Sequence, residues 1–282
     1  RRNYEPLLPG CFHVPAPYTY RNPFNETDPA KLAQACATAF EDEVIFQGPD
    51  TVAAFIMEPV LGAGGVIVPH ESFLPMIRDI CTRHGILLIA DEVITAFGRT
   101  GAWTGSRLSN VKPDMMCIAK AITNGYFPFG ATLISGQVAE TFESDASSFG
   151  MIGHGYTYSG HPVGAAAALA CLPELARHDV AANAASRGTE LLAGLQALQA
   201  KHDLIGDVRA QGLMAAVELV SDRSNKTPAD KALVGHIGDA SYQAGVMIRT
   251  SGHNLIMSPP LVITSDDVKS IVKALDQALT AA

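Results

Sequence analysis

Ile86-Leu-Leu-Ile-Ala-Asp91 is apolar until its last position, which is a carboxylate. A run this short and this uniformly apolar reads as a strand buried on both faces of a sheet. Two runs of the same kind flank it, Val52-Ala-Ala-Phe-Ile-Met-Glu58 before and Met115-Met-Cys-Ile-Ala-Lys120 after, and Gly130 to Ile134 gives a fourth. Helical periodicity fills the intervals, from Asp28 to Phe46 and from Glu71 to His84, where Gly85 provides the stop. Apolar strands alternating with helices indicate an α/β fold whose mostly parallel sheet is covered by helices.

The character changes after Gly160. Pro162 to Ala176 reads as an Ala-rich helix and Val180 to Lys201 as a long second one. Short strand signals follow at Val208-Arg209, Met214 to Leu219, Val246 to Arg249 and Leu255 to Ser258, among helices at Pro228 to Gln243 and Ser265 to Leu279. This is a smaller α/β module of its own. The expected division is a large domain over residues 1–175 and a small C-terminal domain over 176–282.

Bulk properties narrow the function. The chain has 282 residues, 48% hydrophobic and 17% charged, which is room for a sizeable core. A net charge of -8 with no basic stripe argues against nucleic acid. No apolar run is long enough to span a bilayer, so no membrane role is expected. The five cysteines are odd in number and lack CxxC spacing, reading as thiols in a reducing compartment, with the cytoplasm as the expected location. No His/Cys cluster has metal-ligand spacing. The opening Arg1-Arg2-Asn3-Tyr4 lacks an initiator Met, and the chain is expected to begin partway through something longer.

Parallel sheets place their sites outside the carboxyl ends of the strands, where Glu58, Asp91 and Lys120 all fall. A strand-end charge facing solvent, or a structural ion pair, accounts for any one of them taken singly. Together they suit an imine-forming cofactor. A lysine in apolar surroundings is more readily neutral and nucleophilic, and the Asn124-Gly125 turn after it lets backbone approach a bulky ligand. A carboxylate such as Asp91 against a pyridine nitrogen keeps that nitrogen protonated and the ring electron-poor. Competing readings are weaker: the Asp91-Glu92 strand end has no GxxxxGK[ST] partner, and Gly62-Ala-Gly-Gly65 is followed by Val66-Ile-Val-Pro69 where a dinucleotide site needs a helix.

The chain resembles the class III aminotransferases of fold type I, and within them the ω-amino acid:pyruvate transaminases. The resemblance rests on Glu58-Pro-Val-Leu-Gly-Ala-Gly-Gly65, Asp91-Glu-Val93, Phe97-Gly-Arg-Thr-Gly101, Ala119-Lys120-Ala-Ile-Thr-Asn-Gly-Tyr126, His154-Gly-Tyr-Thr-Tyr-Ser-Gly-His-Pro162 and the late Met247-Ile-Arg249 with Ser258-Pro-Pro-Leu261. It implies pyridoxal 5'-phosphate as cofactor, held as a Schiff base on Lys120, which also moves the proton. It implies Asp91 as the partner of the pyridinium nitrogen, Val93 packing on one face of the ring, and Glu58 ordering the site. Thr157 is similar to the residue that reaches the cofactor phosphate of the other subunit, which implies a homodimer with shared sites. Arg249 is similar to a mobile arginine that binds substrate carboxylate, a task suited to a planar fork. Trp103 and Tyr126 are expected either to line the substrate pocket or to serve as packing aromatics.

The implied activity is transfer of an amino group from an amine or ω-amino acid donor to a keto acid. Ala63 stands where some relatives carry a glutamate that pairs with the mobile arginine, which favours pyruvate as acceptor; Leu61 stands where many carry Gln. The chain is expected to lack the family's N-terminal portion, with its phosphate-binding turn and ring-stacking aromatic. The alternatives are another fold-type-I reaction (racemase, aminomutase or decarboxylase) or a catalytically incomplete fragment serving as a binding or regulatory module.

Overall fold

The computed structural model describes residues 4–143 and 154–282, so Arg1 to Asn3 lie outside the described residues. Helix α1 (Pro29–Gln47) starts where the Asp28 carboxylate accepts the Ala30 and Lys31 amides at 2.9 and 3.0 Å, with Pro29 in the first turn. Strand β1 (Ala54–Met57) follows, then α2 (Phe73–His84). Gly85 ends α2 in the left-handed region at φ 67°, and Ile86 N–H returns to the Cys81 carbonyl at 2.8 Å. Then come β2 (Leu87–Asp91), the short α3 (Gly105–Leu108), β3 (Met115–Ile118), β4 (Ala131–Ile134) and α4 (Gly136–Glu143).

β1, β2 and β3 run parallel in that spatial order, and β4 joins antiparallel beyond β3. Phe55 and Met57 of β1 and Leu88 of β2 pack with the apolar faces of α1 and α2, including Leu32, Cys36, Phe40, Phe73 and Ile77. Each such side chain removed from water contributes roughly 1.5–3 kcal/mol. The opposite face differs from the expectation of cover on both sides. Its row Ile56–Ile89–Met115–Ile134 leaves Ile56 58% and Ile134 41% exposed, because α1 and α2 both pack on the same side.

Helices α5 (Pro162–Arg177) and α6 (Val180–Lys201) lead to a second sheet. Its strands are β5 (Ile205–Gln211), β6 (Met214–Asp222), the two-residue β7 (Thr227–Pro228), β8 (Arg249–Ser251) and β9 (Asn254–Met257). The order is β5-β6-β9-β8, antiparallel throughout, with β7 on β6. Helix α7 (Lys231–Gln243) is capped by Asp230, and α8 (Ser265–Thr280) opens on a reciprocal Thr264–Asp267 capping box. Leu191, Leu195 and Leu198 of α6 share a core with Val217, Leu219, Ile237, Leu255 and Leu275. Among the described residues no helix is long and apolar enough to cross a membrane.

One strand lies elsewhere than expected. Val246 to Ile248 are not strand, and β8 begins at Arg249. Val246 N–H is used to close α7, donating to the Ser241 carbonyl at 2.9 Å, and Gly245 at φ 93° turns the chain first.

Candidate active site

Glu58 follows β1 directly, Asp91 ends β2, and Lys120 lies two residues past β3, so the three charges leave neighbouring parallel strands at their carboxyl ends. Asp91 shares the sheet face of Ile56 and Ile89, away from α1 and α2. It is half-buried, and its Oδ1 accepts the Val93 N–H at 3.1 Å. No described group donates to Oδ2. Val93 is half-buried beside it.

Lys120 opens a tight turn that closes when Thr123 N–H meets the Lys120 carbonyl at 3.3 Å. Its φ of 49° is left-handed, an unusual conformation for a residue with a long side chain and one common at functional positions. The Lys120 side chain is exposed, not sunk among apolar neighbours as the sequence had suggested. The reason is its place beyond the strand, on a turn that projects from the sheet edge.

Glu58 is half-buried, and its Oε2 accepts the Gly62 N–H at 2.9 Å. Burial pushes the Glu58 carboxyl above its ordinary range; the Gly62 amide opposes this, Asp91 adds to the push, and Lys120 pulls it back. The Glu58 carboxyl therefore senses the charges of both Asp91 and Lys120.

The residue after Asp91 has a different task. Glu92 falls on the opposite face by strand parity and is fully buried. Its carboxylate accepts Gly105 N–H and Ser106 N–H, both at 2.7 Å, as well as the Thr95 and Ser106 hydroxyls. It closes the 93–106 loop behind Asp91. Gly105 fits there because an added Cβ would meet Pro59 Cβ at 2.7 Å and Glu92 Oε2 at 3.1 Å. Arg99 ties the same loop to the second sheet, donating from Nη1 to the carbonyls of Pro259 at 2.6 Å and Leu213 at 3.1 Å. Burial pulls its guanidinium down to about 10. Neither residue had been given a role from sequence; the signal for Glu92 was parity, since a carboxylate turned toward a helix-covered face must find donors.

The remaining candidates are dispersed. Trp103 packs edge-on to Phe97 at 5.9 Å and lines a cavity of about 540 Å³ with Ala96, Met116, Ile118 and Leu133. Met116 and Leu133 lie in the row of Met57 and Ala90, so the sheet separates this cavity from Asp91, and Trp103 is a packing aromatic here. Tyr126 is 86% exposed and does not line this cavity. Thr157 is exposed in the turn before α5. Arg249 is exposed opposite Ile256, and it forms no ion pair among the described residues.

This donor set suits a pyridine-aldehyde cofactor: an accessible primary amine at Lys120, a carboxylate oxygen of Asp91 left open, and a second carboxylate at Glu58. The sequence model of the family Aminotransferase class-III matches residues 1–279. An uncharacterized aminotransferase of Sinorhizobium fredii is 41% identical over 278 residues, covering 96% of this chain and 59% of that protein. A taurine–pyruvate aminotransferase of Bilophila wadsworthia is 37% identical over 285 residues, covering 98% of this chain and 62% of that one. The crystal structure of an amine transaminase from an uncultivated Pseudomonas species, in its PLP-bound form, matches with a TM-score of 0.96 at 46% identity, over 99% of this chain and 63% of that one. The chain thus spans about three fifths of the length of these relatives.

Proposed function

Because the chain belongs to the class III aminotransferases, we propose that it binds pyridoxal 5'-phosphate through Lys120 and takes part in moving an amino group from an amine or ω-amino acid to a keto acid. The observation that carries this reading is the convergence of Lys120, Asp91 and Glu58 at the carboxyl ends of three adjacent parallel strands. When bound, the cofactor supplies an electron sink for the carbanion formed at the substrate carbon.

The protein's own residues do the rest. Lys120 Nζ would be the nucleophile that holds the cofactor, and the same amine would serve as the base that carries the substrate proton. Asp91 would hold a positive charge on the ring nitrogen, and the Val93 amide fixes the carboxylate's orientation. Val93, half-buried next to Asp91, would pack beside the ring. Glu58 orders the same edge. Arg249, free of ion pairs in the described structure, receives the substrate carboxylate. Thr157, exposed in its turn, would donate to the cofactor phosphate of a second subunit, and the working form would then be a homodimer. Pyruvate is the proposed acceptor, in keeping with Ala63. The two sheets, each with a main core of its own and a smaller cluster of Val60, Val66, Met214, Ala216 and Ile256 between them, support reading residues 1–175 as cofactor domain and 176–282 as small domain.

A second reading, a catalytically incomplete module, has one observation in its favour: the Lys120 side chain is exposed rather than enclosed. The deciding experiment adds pyridoxal phosphate to the purified chain, records the visible spectrum, then reduces with borohydride and maps peptides. Reduced cofactor on Lys120, absent from Lys120→Ala, supports the proposal; a folded chain that is never labelled there supports the second reading. Loss of donor amine only when keto acid is present then separates transamination from racemase, aminomutase or decarboxylase chemistry.

A further inference from the structure

Arg209 lies on β5 in the second sheet, and its side chain is only 10% exposed. Its guanidinium is used on every side. Nη1 donates to the Tyr18 hydroxyl at 2.8 Å, to Asp207 and to Glu218 at 3.1 Å; Nη2 donates to Asn254 Oδ1 at 2.7 Å. The remaining donors leave the second sheet altogether. Nε and Nη2 both meet the carbonyl of Gly65, at 3.0 and 2.8 Å.

Gly65 closes the turn that follows β1. Within it Gly65 N–H and Val66 N–H both return to the Gly62 carbonyl at 3.1 Å, and Leu61 and Ile67 exchange a pair of backbone bonds at 3.0 and 2.9 Å. A turn cross-bonded in this way moves as a unit. Its leading amide, Gly62 N–H, is the one that holds the Glu58 carboxylate. Gly65 also has φ 116°, and a Cβ there would press on Arg209 Nη2 and Asn254 at 3.3 Å, so the contact admits no side chain.

We propose that Arg209 is a positioning residue: by clamping the Gly65 carbonyl it fixes the Gly62–Gly65 turn and, through the Gly62 amide, the Glu58 carboxylate beside Asp91 and Lys120. The inference rests on the active site proposed above and extends that site to a residue on the second sheet. It links the two sheets by geometry: a displacement of the second sheet reaches Glu58 through this guanidinium, beside the packing of Val60 and Val66 on Met214, Ala216 and Ile256.

The test reads Glu58 directly in the cofactor-free chain, from the pH titration of its ¹³C-labelled carboxyl, assigned by loss of the signal in Glu58→Gln. Arg209→Lys keeps the positive charge near Asp207 and Glu218 but cannot span Gly65 and Asn254 as a fork. The expected result is a further upward shift of the Glu58 midpoint, because the opposing Gly62 hydrogen bond is loosened. An unmoved midpoint in a folded Arg209→Lys chain overturns the proposal, even if the thermal midpoint falls, since a merely structural arginine would lower stability alone. Gly65→Ala attacks the same contact from the turn side and is read identically if Arg209→Lys does not fold. Failure of cofactor attachment at Lys120 would overturn the proposed function without touching this titration, so the two ideas fail separately.

Discussion

Asp91 and Cys117 are register partners across the parallel β2–β3 pair. That pairing sets the spacing of the site: Lys120, three residues beyond Cys117, leaves the sheet on the edge where Asp91 ends. A shift of one residue in this register would turn Asp91 toward the helix-covered face and Glu92 toward the site. The Glu92 N–H bond to the Cys117 carbonyl at 2.9 Å holds the register at its last rung.

That rung leads to a stability prediction. Glu92→Ala leaves two backbone amides and two hydroxyls without their acceptor in a fully buried place. Unsatisfied buried donors cost about 1–3 kcal/mol each, part of which relaxation recovers, so a loss of roughly 3 kcal/mol or more is expected in urea unfolding. A loss below about 1 kcal/mol would show that Glu92 does not organise the loop.

Arg249 offers a functional counterpart. Arg249→Ala is expected to lower kcat/KM for carboxylate-bearing substrates by on the order of tenfold to a hundredfold, and to leave amines without a carboxylate within a few-fold. Steady-state kinetics on a matched pair of donors makes the comparison. Equal losses on both would remove Arg249 from the substrate-binding role.

A pH dependence follows from Glu41 on α1. Its carboxyl lies well below the usual range, at about 2, because Arg83 and His84 of α2 hydrogen-bond to it. A carboxyl depressed in the folded state contributes stability that is present above its unfolded value near 4.5 and is lost as the pH falls toward 2. Unfolding free energies of the parent chain and Glu41→Gln should therefore converge between pH 4.5 and 2. Both partners are partly exposed, so the gap is small and shrinks with added salt. A gap that does not change over that window would remove the ion pair as its cause.

Much of the fold was legible because its signals are local. The helix expected from Val180 to Lys201 has those bounds, and Gly85 ends α2 as a glycine stop should. Glu58, Asp91 and Lys120 were legible as strand-end charges, since an apolar run closed by an ionisable group marks a sheet edge. What stayed hidden depends on distant partners. Arg209 meets Gly65 across 144 positions of chain, and nothing near either residue announces the other. Trp103 was ambiguous for a related reason: local pattern does not say on which side of the sheet an aromatic of an irregular loop will pack. The Val246 to Arg249 strand was misplaced because a β-branched residue after a helix looks like strand, whereas here its amide finishes the helix.

The two sheets also differ in how far the chain must travel to make them. β5 and β6 meet through Gly212 and Leu213 alone, with Gln211 opposite Met214 and Gly212 at φ 56°, whereas β1, β2 and β3 pair only after long crossovers. Nearby pairings close fast and distant ones slowly. During refolding, then, the amides of β5 and β6 should be shielded from solvent exchange before those of β2, a sequence of events that pulse labelling would resolve. The half of the molecule bearing Arg209 would be in place first, ready to receive the turn that carries Glu58.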